Sequence, residues 1–384
     1  MKKKYSLRKF FNDIHLWLGI ASGIVLFIVC LSGTLYTFHA EVEEMLEPEK
    51  YRVEAPKNTA PMLAEALLSK VQEETGGTAS AISIPRDPHR PYRITIKKSP
   101  KDRRGTAYYV DPYTAEIKGT SKGPASEFFM TMFRLHRWLL MEQNTGRIIV
   151  GISTIIFAVL LITGMVLWFP KRLKNIKQGL KVKTNGNWKR LNHDLHNTLG
   201  FYTFPLLLVM CLTGLCWSFG WYRDGLSSVM GAKVFGGRGA KPTQIEQVVP
   251  DTPARSVAQL IQLTDEHLPY TGDYNIYLPS DPQSAAVVYK YQTGFFALSA
   301  YDKAEFNPYN GHLLKLDKFS DKALNEKIVA TIKPLHTGEI FGTFSKILYF
   351  ISCLIATSLP VTGTIIWINK LKKKAAKKKK AVVS

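Results

Sequence analysis

The chain has 384 residues, and 51 lysines and arginines against 30 aspartates and glutamates leave it a net charge of +21. That excess does not describe a nucleic-acid surface, because it falls in three short segments beside long apolar runs, and no nucleic-acid partner is expected. Cys30, Cys211, Cys216 and Cys353 all lie inside the apolar runs, which leaves no disulfide framework, and the lack of a Cys-x-x-Cys-His motif excludes covalently attached haem.

Residues 1–15 form a basic amino-terminal segment carrying Lys2, Lys3, Lys4, Arg8 and Lys9. The first span, 16–38, exceeds the roughly 20 residues a membrane helix needs, and no small-x-small cleavage site follows it, so it is expected to stay as an anchor. A polar region, 39–134, opens with a helix-like stretch, Pro61–Glu74. It continues in alternating strand-like runs such as Tyr92–Ile96 and closes on a hairpin signal, Asp111-Pro112-Tyr113-Thr114. A second span with its lead-in occupies 135–169, its apolar part running from about 148. The loop 170–195 holds eight basic residues, Lys171, Arg172, Lys174, Lys177, Lys181, Lys183, Lys189 and Arg190. A third span, 196–221, leads to a second polar region, 222–334. Here the helix-like stretch is Thr252–His267, the strand-like run Ala285–Tyr289, and the turn Asn307-Pro308-Tyr309-Asn310-Gly311. The fourth span and lead-in, 335–369, carry Lys346 near an end where it can snorkel, and a Lys-rich tail, 370–384, follows. Three basic segments on one side of four spans satisfy the positive-inside rule. Both termini are therefore expected in the cytoplasm, the polar regions in the periplasm, and the tail against anionic lipid of a bacterial inner membrane.

The chain repeats itself. Asp13-Ile14-His15-Leu16 before span one matches Asp194-Leu195-His196-Asn197 before span three at an offset of 181, which still holds at Cys30 and Cys211 and at Gly33 and Gly214. Leu135-His136 matches Leu335-His336, and Thr163-Gly164 matches Thr362-Gly363. The expected fold is an all-α four-helix transmembrane bundle with two extracytoplasmic α+β domains, built as span, domain, span used twice. Two spans per unit insert both units the same way up, so their pseudo-axis lies along the membrane normal.

The ending Asp111-Pro112-Tyr113-Thr114-Ala115-Glu116-Ile117 resembles the close of a PepSY domain. Leu135-His136-Arg137-Trp138-Leu139-Leu140, Gly146-Arg147 and the Thr-Gly turns near the ends of spans two and four resemble the PepSY-associated transmembrane family. That family includes iron-regulated inner-membrane proteins and ferric-siderophore reductases, and the resemblance covers essentially the whole chain. It implies PepSY-like domains and b-type haem bound between the helices.

Four histidines form an equivalent set, His15 and His196 in the cytoplasmic layer and His136 and His336 in the outer layer. Two imidazoles facing across an axis are what a bis-histidine haem iron requires, so these four are the expected ligands of two haems b. Gly19 and Gly23 follow His15 on one helical face and Gly200 follows His196, leaving room for a flat macrocycle. Arg134 and Arg137 are expected beside outer-haem propionates. Asp13 and Asp194 are candidates to orient the cytoplasmic ligands, with exposed caps as the alternative. His39 and His193 are weaker alternative ligands, while His89, His267 and His312 read as surface residues. Trp168, Trp217, Trp221 and Trp367 read as aromatic-belt anchors.

These expectations combine into an oxidoreductase that carries electrons across the membrane to a ferric siderophore or other iron chelate. No nucleotide-binding fingerprint is present, so the donor is a separate cytoplasmic reductase or a quinol. The alternative is a membrane-anchored PepSY module that binds or inhibits an envelope protein or peptidase. A transporter is disfavoured because the spans lack buried acids and only Pro205 and Pro360 interrupt them.

Overall fold

A computed structural model describes residues 5–99, 102, 105–236, 241–245, 253–294 and 297–383. Lys2 to Lys4 and Thr252 lie outside them. Four helices are long and apolar enough to cross a membrane: Leu7–Thr37, Gln143–Trp168, Trp188–Ser218 and Glu339–Ala376. The shortest has 26 residues, roughly 39 Å at 1.5 Å per residue, against a hydrocarbon core of about 30 Å.

In chain order, α1 (Leu7–Thr37) is capped by Ser6, whose hydroxyl accepts from Lys9 N at 3.3 Å, and is followed by α2 (His39–Leu46) and α3 (Pro48–Tyr51). Next come α4 (Ala64–Thr75) and strands β1 (Thr78–Ile84), β2 (Tyr92–Lys97), β3 (Thr106–Val110) and β4 (Ile117–Thr120). A lead-in helix α5 (Pro124–Trp138) precedes the second span, α6 (Gln143–Trp168), and α7 (Ile176–Gly179) lies in the basic loop. The third span is α8 (Trp188–Asp194), a π-turn over Leu195–Leu199 and α9 (Gly200–Ser218), continuous along its length. Then come α10 (Gly220–Met230), α11 (Val257–His267), β5 (Gly272–Tyr277), β6 (Ala286–Gln292), β7 (Tyr301–Phe306) and β8 (Leu313–Asp317). The chain ends in α12 (Leu324–Ala330), α13 (Ile332–Thr337) and α14 (Gly342–Val383).

Within the bundle α1 and α9 each pack against both α6 and α14, which leaves α1 and α9 facing one another across the centre. Small hydroxyl residues permit the close packing. Ser22, Ser32 and Thr34 of α1 are buried, and each returns its proton to the carbonyl four residues earlier, at 2.7–2.8 Å. On α6 the exposed residues Ile148, Ile152, Ile155, Val159, Ile162 and Val166 form the apolar stripe that a lipid-facing helix presents. Lys346 does not snorkel. It is buried, with Nζ 2.7 and 2.9 Å from the carboxylate of Glu41 on α2, which supplies the counter-charge.

Two local breaks set off the helices that enter the spans from the sheet end. Leu139 and Leu140, with φ of 56° and 57°, end α5 before α6 begins, and Gly338, with φ of 78°, ends α13 before α14. The segments that carry His136 and His336 are therefore short separate helices and not first turns of the spans.

The strands form one antiparallel sheet of eight, in the order β4-β3-β2-β1-β5-β6-β7-β8, where the sequence suggested two separate domains. Each half is a four-strand meander preceded by a helix. The halves join through β1 and β5, with Ile82 opposite Ile276 and both fully buried. One face packs on α4 and α11 over a core that includes Leu67, Val71, Ile94, Leu260, Val288 and Phe306. The two hairpin turns close alike. Asp111 Oδ1 accepts from Tyr113 N at 2.8 Å and Asn307 Oδ1 from Tyr309 N at 2.9 Å, and Ala115 and Gly311 take positive φ. Ile82→Ala and Ile276→Ala should each cost about 2–4 kcal/mol, read as a lowered midpoint of thermal unfolding. An unchanged midpoint would show that the junction is not a packed core.

Candidate functional site: two facing histidine pairs

His15 stands two turns into α1 and His196 at the π-turn of the third span, a local widening often found at functional positions. Their ring centres are 6.3 Å apart with the planes at 87°. His136 on α5 and His336 on α13 enter the bundle from the sheet end, and their ring centres are 6.2 Å apart at 53°. A metal–imidazole bond of about 2.0 Å plus the radius of a five-membered ring, taken twice, comes to about 6 Å. Both pairs have the spacing of two axial imidazoles on one iron.

The hydrogen bonds assign the tautomers. Nδ1 of His136 is 2.8 Å from Val29 O, and Nδ1 of His336 is 3.0 Å from Met210 O. A carbonyl oxygen only accepts, so these nitrogens carry the proton and Nε2 keeps its lone pair. Nδ1 of His15 is 2.9 Å from Thr163 Oγ1, and Nδ1 of His196 is 2.9 Å from Thr362 Oγ1. Each threonine already donates its one proton to its own helix, Thr163 to Val159 O at 2.9 Å and Thr362 to Ser358 O at 3.0 Å. The hydroxyls therefore accept from Nδ1–H, and all four rings offer an unprotonated Nε2, the form an iron ligand needs.

Each ring also rests on a glycine. A Cβ added at Gly164 or Gly363 would lie 3.2 Å from Cε1 of His15 or His196, one at Gly33 2.9 Å from Nδ1 of His136, and one at Gly214 3.0 Å from Cε1 of His336. Among the described residues no three His, Cys, Asp or Glu side chains gather as a metal cage; the histidines come in twos. At the basic end a cavity of about 550 Å³ contains His15, His196, Gly19 and Gly200 in its lining, with Arg8, Arg190 and Lys370 at the wall. That volume lies within the roughly 300–1,000 Å³ of cofactor sites. The residues present thus fit a bis-histidine haem at the basic end, and the sheet-end pair repeats the ligand geometry.

Across residues 13–370 the chain matches the family model described as the PepSY-associated TM region. The chain belongs to the PepSY-associated transmembrane family. No curated protein matched it. It is a membrane protein, as four apolar helices and the family match agree.

In this PepSY-associated chain His15, His196, His136 and His336 pair as described, and Gly19, Gly200, His193 and Asp194 share the basic-end cavity lining with the first pair. Gly23 rests against Pro360 of α14, with no place in the cavity lining. Arg137 stands over the rings of Phe133 and Trp138 at 5.6 and 5.7 Å, and Arg134 is exposed. His39 stacks on Tyr36 at 4.1 Å and borders Phe129, so its ring has no histidine partner, and His193 lies 3.5 Å from Asp194. Asp13 accepts from Tyr5 and Asp194 from Arg190; neither holds a ligand, because the threonines do. The Thr-Gly pairs are not turns but helical positions inside α6 and α14. Trp168 and Trp217 are not belt anchors. Trp168 is buried, stacks on Phe201 at 3.8 Å and donates to Gly179 O, and Trp217 packs 5.1 Å from His336.

Sequence reasoning left out Thr163, Thr362 and the four glycines as ligand supports, although their repetition was visible. It carried Arg147 only as part of a motif and gave it no role; its Nε is buried and has no hydrogen-bond partner among the described residues. Arg147 lies on α6 one turn before Gly151, where Phe219 of the third span comes close. At the offset of 199 that relates Thr163 to Thr362, its counterpart is Lys346, which is buried where Arg147 is half-buried.

Proposed function

We propose that this chain is a di-haem b oxidoreductase of a bacterial inner membrane. It takes electrons on its basic, cytoplasmic side and delivers them to a ferric siderophore or other iron chelate on the periplasmic side. The observation that carries the reading is the pair of histidine pairs, each about 6 Å between ring centres, with every Nδ1 hydrogen-bonded and every Nε2 left unprotonated. The positive-inside distribution supports the orientation. A tandem duplication is supported by three sets of equivalent residues that meet as partners, namely His15 with His196, His136 with His336, and Ile82 with Ile276.

A b-type haem, when bound, supplies a one-electron iron couple. The protein's part is to hold that couple in place. Thr163, Thr362 and the carbonyls of Val29 and Met210 fix each imidazole's rotation and tautomer. Arg8, Arg190 and Lys370 at the basic end, and Arg147 at the other, are the cations suited to propionate carboxylates. The two levels are fourteen residues apart on α1, from His15 to Val29, or roughly 21 Å. Between them the bundle packs the apolar cluster of Cys30, Met210, Cys211, Phe157 and Phe204. Reduction lowers the charge on iron and weakens its hold on hard oxygen donors, which is the physical reason to reduce such a chelate. Neither a nucleophile nor a general base is required.

The test is a visible spectrum of the detergent-purified chain, oxidised and dithionite-reduced, with pyridine-haemochrome stoichiometry. Sharp reduced α-bands and close to two haems b per chain are expected. A colourless protein from haem-replete cells would overturn the reading and leave the PepSY binding module in its place.

A further inference from the structure

The sheet face turned away from α4 and α11 is rich in tyrosine. Tyr277 packs on Tyr289 at 5.5 Å, Tyr289 on Tyr301 at 4.8 Å and Tyr301 on Tyr291 at 5.7 Å, while Tyr51 of α3 packs on Tyr109 at 4.9 Å. A cavity of about 570 Å³ opens on this face. Arg93, Tyr109, Asn275 and Tyr291 line it from four strands, Tyr51 from the side and Glu339 from the start of the last span. The register joins the strand residues across the midline: Tyr109 pairs with Arg93, Arg93 with Ser83, and Ser83 with Asn275. Both halves of the chain contribute, and Glu339 follows His336 by three residues in the sequence.

Its charges are unequally matched. Arg90 is held by Glu44 at 2.8 Å and Glu339 shares Lys346, at 3.9 Å, with the nearer Glu41, while Asp273 accepts from the backbone of Arg86 at 2.7 Å and keeps its negative charge. Arg93 is exposed and forms no ion pair among the described residues. Burial raises the phenol of Tyr291 above its usual range against a lowering hydrogen bond with Asn275, so the tyrosine stays neutral and does not cancel the guanidinium. Arg93, a planar cation without an ion-pair partner among the described residues, stands among tyrosine rings, in the same lining as the acids Asp273 and Glu339, and presents a bidentate donor for paired anionic oxygens beside stacking surfaces for flat rings.

We infer that this cavity seats the iron acceptor and selects an anionic chelate with aromatic donors, a catecholate over a hydroxamate. The inference rests on the reductase reading for its iron. Arg93 engages the catecholate oxygens, and Tyr109, Tyr291 and Tyr51 pack against the rings.

Binding separates the two claims, because gallium(III) takes the place of iron(III) without being reduced. The full-length chain in detergent is titrated with the gallium(III) complex of a tripodal tris-catechol and with neutral gallium(III) tris(acetohydroxamate), monitored by calorimetry. The tris-catecholate should bind tighter to the wild type. Arg93→Gln should weaken it roughly tenfold or more and leave the hydroxamate complex unchanged. Tyr109→Leu, a second variant on the same wall, should weaken the catecholate as well. Equal catecholate affinity in wild type and Arg93→Gln, a preference for the hydroxamate complex, or no binding by the wild type would each overturn the inference. The haem spectrum of the same preparation tests the reductase reading on its own and confirms that each variant has folded.

Discussion

His336→Ala should halve the haem content of the purified protein and abolish chelate reduction, while the remaining haem keeps its low-spin spectrum. The reason is geometric. His336 meets its partner His136 at 6.2 Å between ring centres, is fixed by Met210 O at 3.0 Å, and sits on α13, a helix that Gly338 separates from the span. Removing the ring deletes one of the proposed ligands and leaves α14 intact. The basic-end pair lies about 21 Å away along α1 and has its own threonine supports, so it should be indifferent. Spectrum and stoichiometry are read together. Retention of full haem would break the assignment of the sheet-end pair, and loss of both haems would show that the two sites fold as one.

Gly33→Leu should act on the same site from behind. A Cβ there would lie 2.9 Å from Nδ1 and 3.0 Å from Cε1 of His136, closer than side-chain packing tolerates, and the ring is already tied to Val29 O. The imidazole must swing away, so the sheet-end haem should be lost or turn high-spin while the basic-end haem is kept. Gly164→Leu should do the mirror-image damage at His15, where the approach is 3.2 Å. The control is Gly23→Ala, whose Cβ would meet only Pro360 at the ordinary distance of 3.9 Å, and both haems should remain. A normal low-spin spectrum in Gly33→Leu would mean that the ring does not depend on that glycine for its place.

The spans and histidines were legible because each reports itself through a local pattern: apolar length for the helices, and repetition for His15 with His196 and His136 with His336. Hairpin turns were legible for the same reason, since Asp-Pro and Asn-Pro act within a few residues. What the sequence withheld depends on elements that meet only in three dimensions. Nothing in the strand pattern says that β1 and β5 pair, because an edge strand and a central strand are both alternating runs. The threonine supports sit about 150 residues from the histidines they hold, so side-chain chemistry pointed to the nearer Asp13 and Asp194. Gly23 had the right helical spacing from His15 but the wrong neighbour. Lys346 looked like a snorkelling residue because its partner, Glu41, lies on another helix.

Ile82 and Ile276 hold the same place in their two meanders, twelve residues before Ile94 and Val288, and they pair with each other. An antiparallel edge that meets its own equivalent is isologous: the same surface serves both sides. A lone span–sheet–span unit would therefore carry a complete dimerisation edge, and closing it on a second copy would bring one histidine of each pair from each copy. Joining two such units in one chain removes the need to find a partner and frees the halves to drift apart. The two halves of the sheet do differ. Where the first meander buries Ile96, the second buries Lys290, fully enclosed and held by Asp265 at 2.6 Å and Leu268 O at 2.7 Å, a change that two identical subunits could make only in both copies at once.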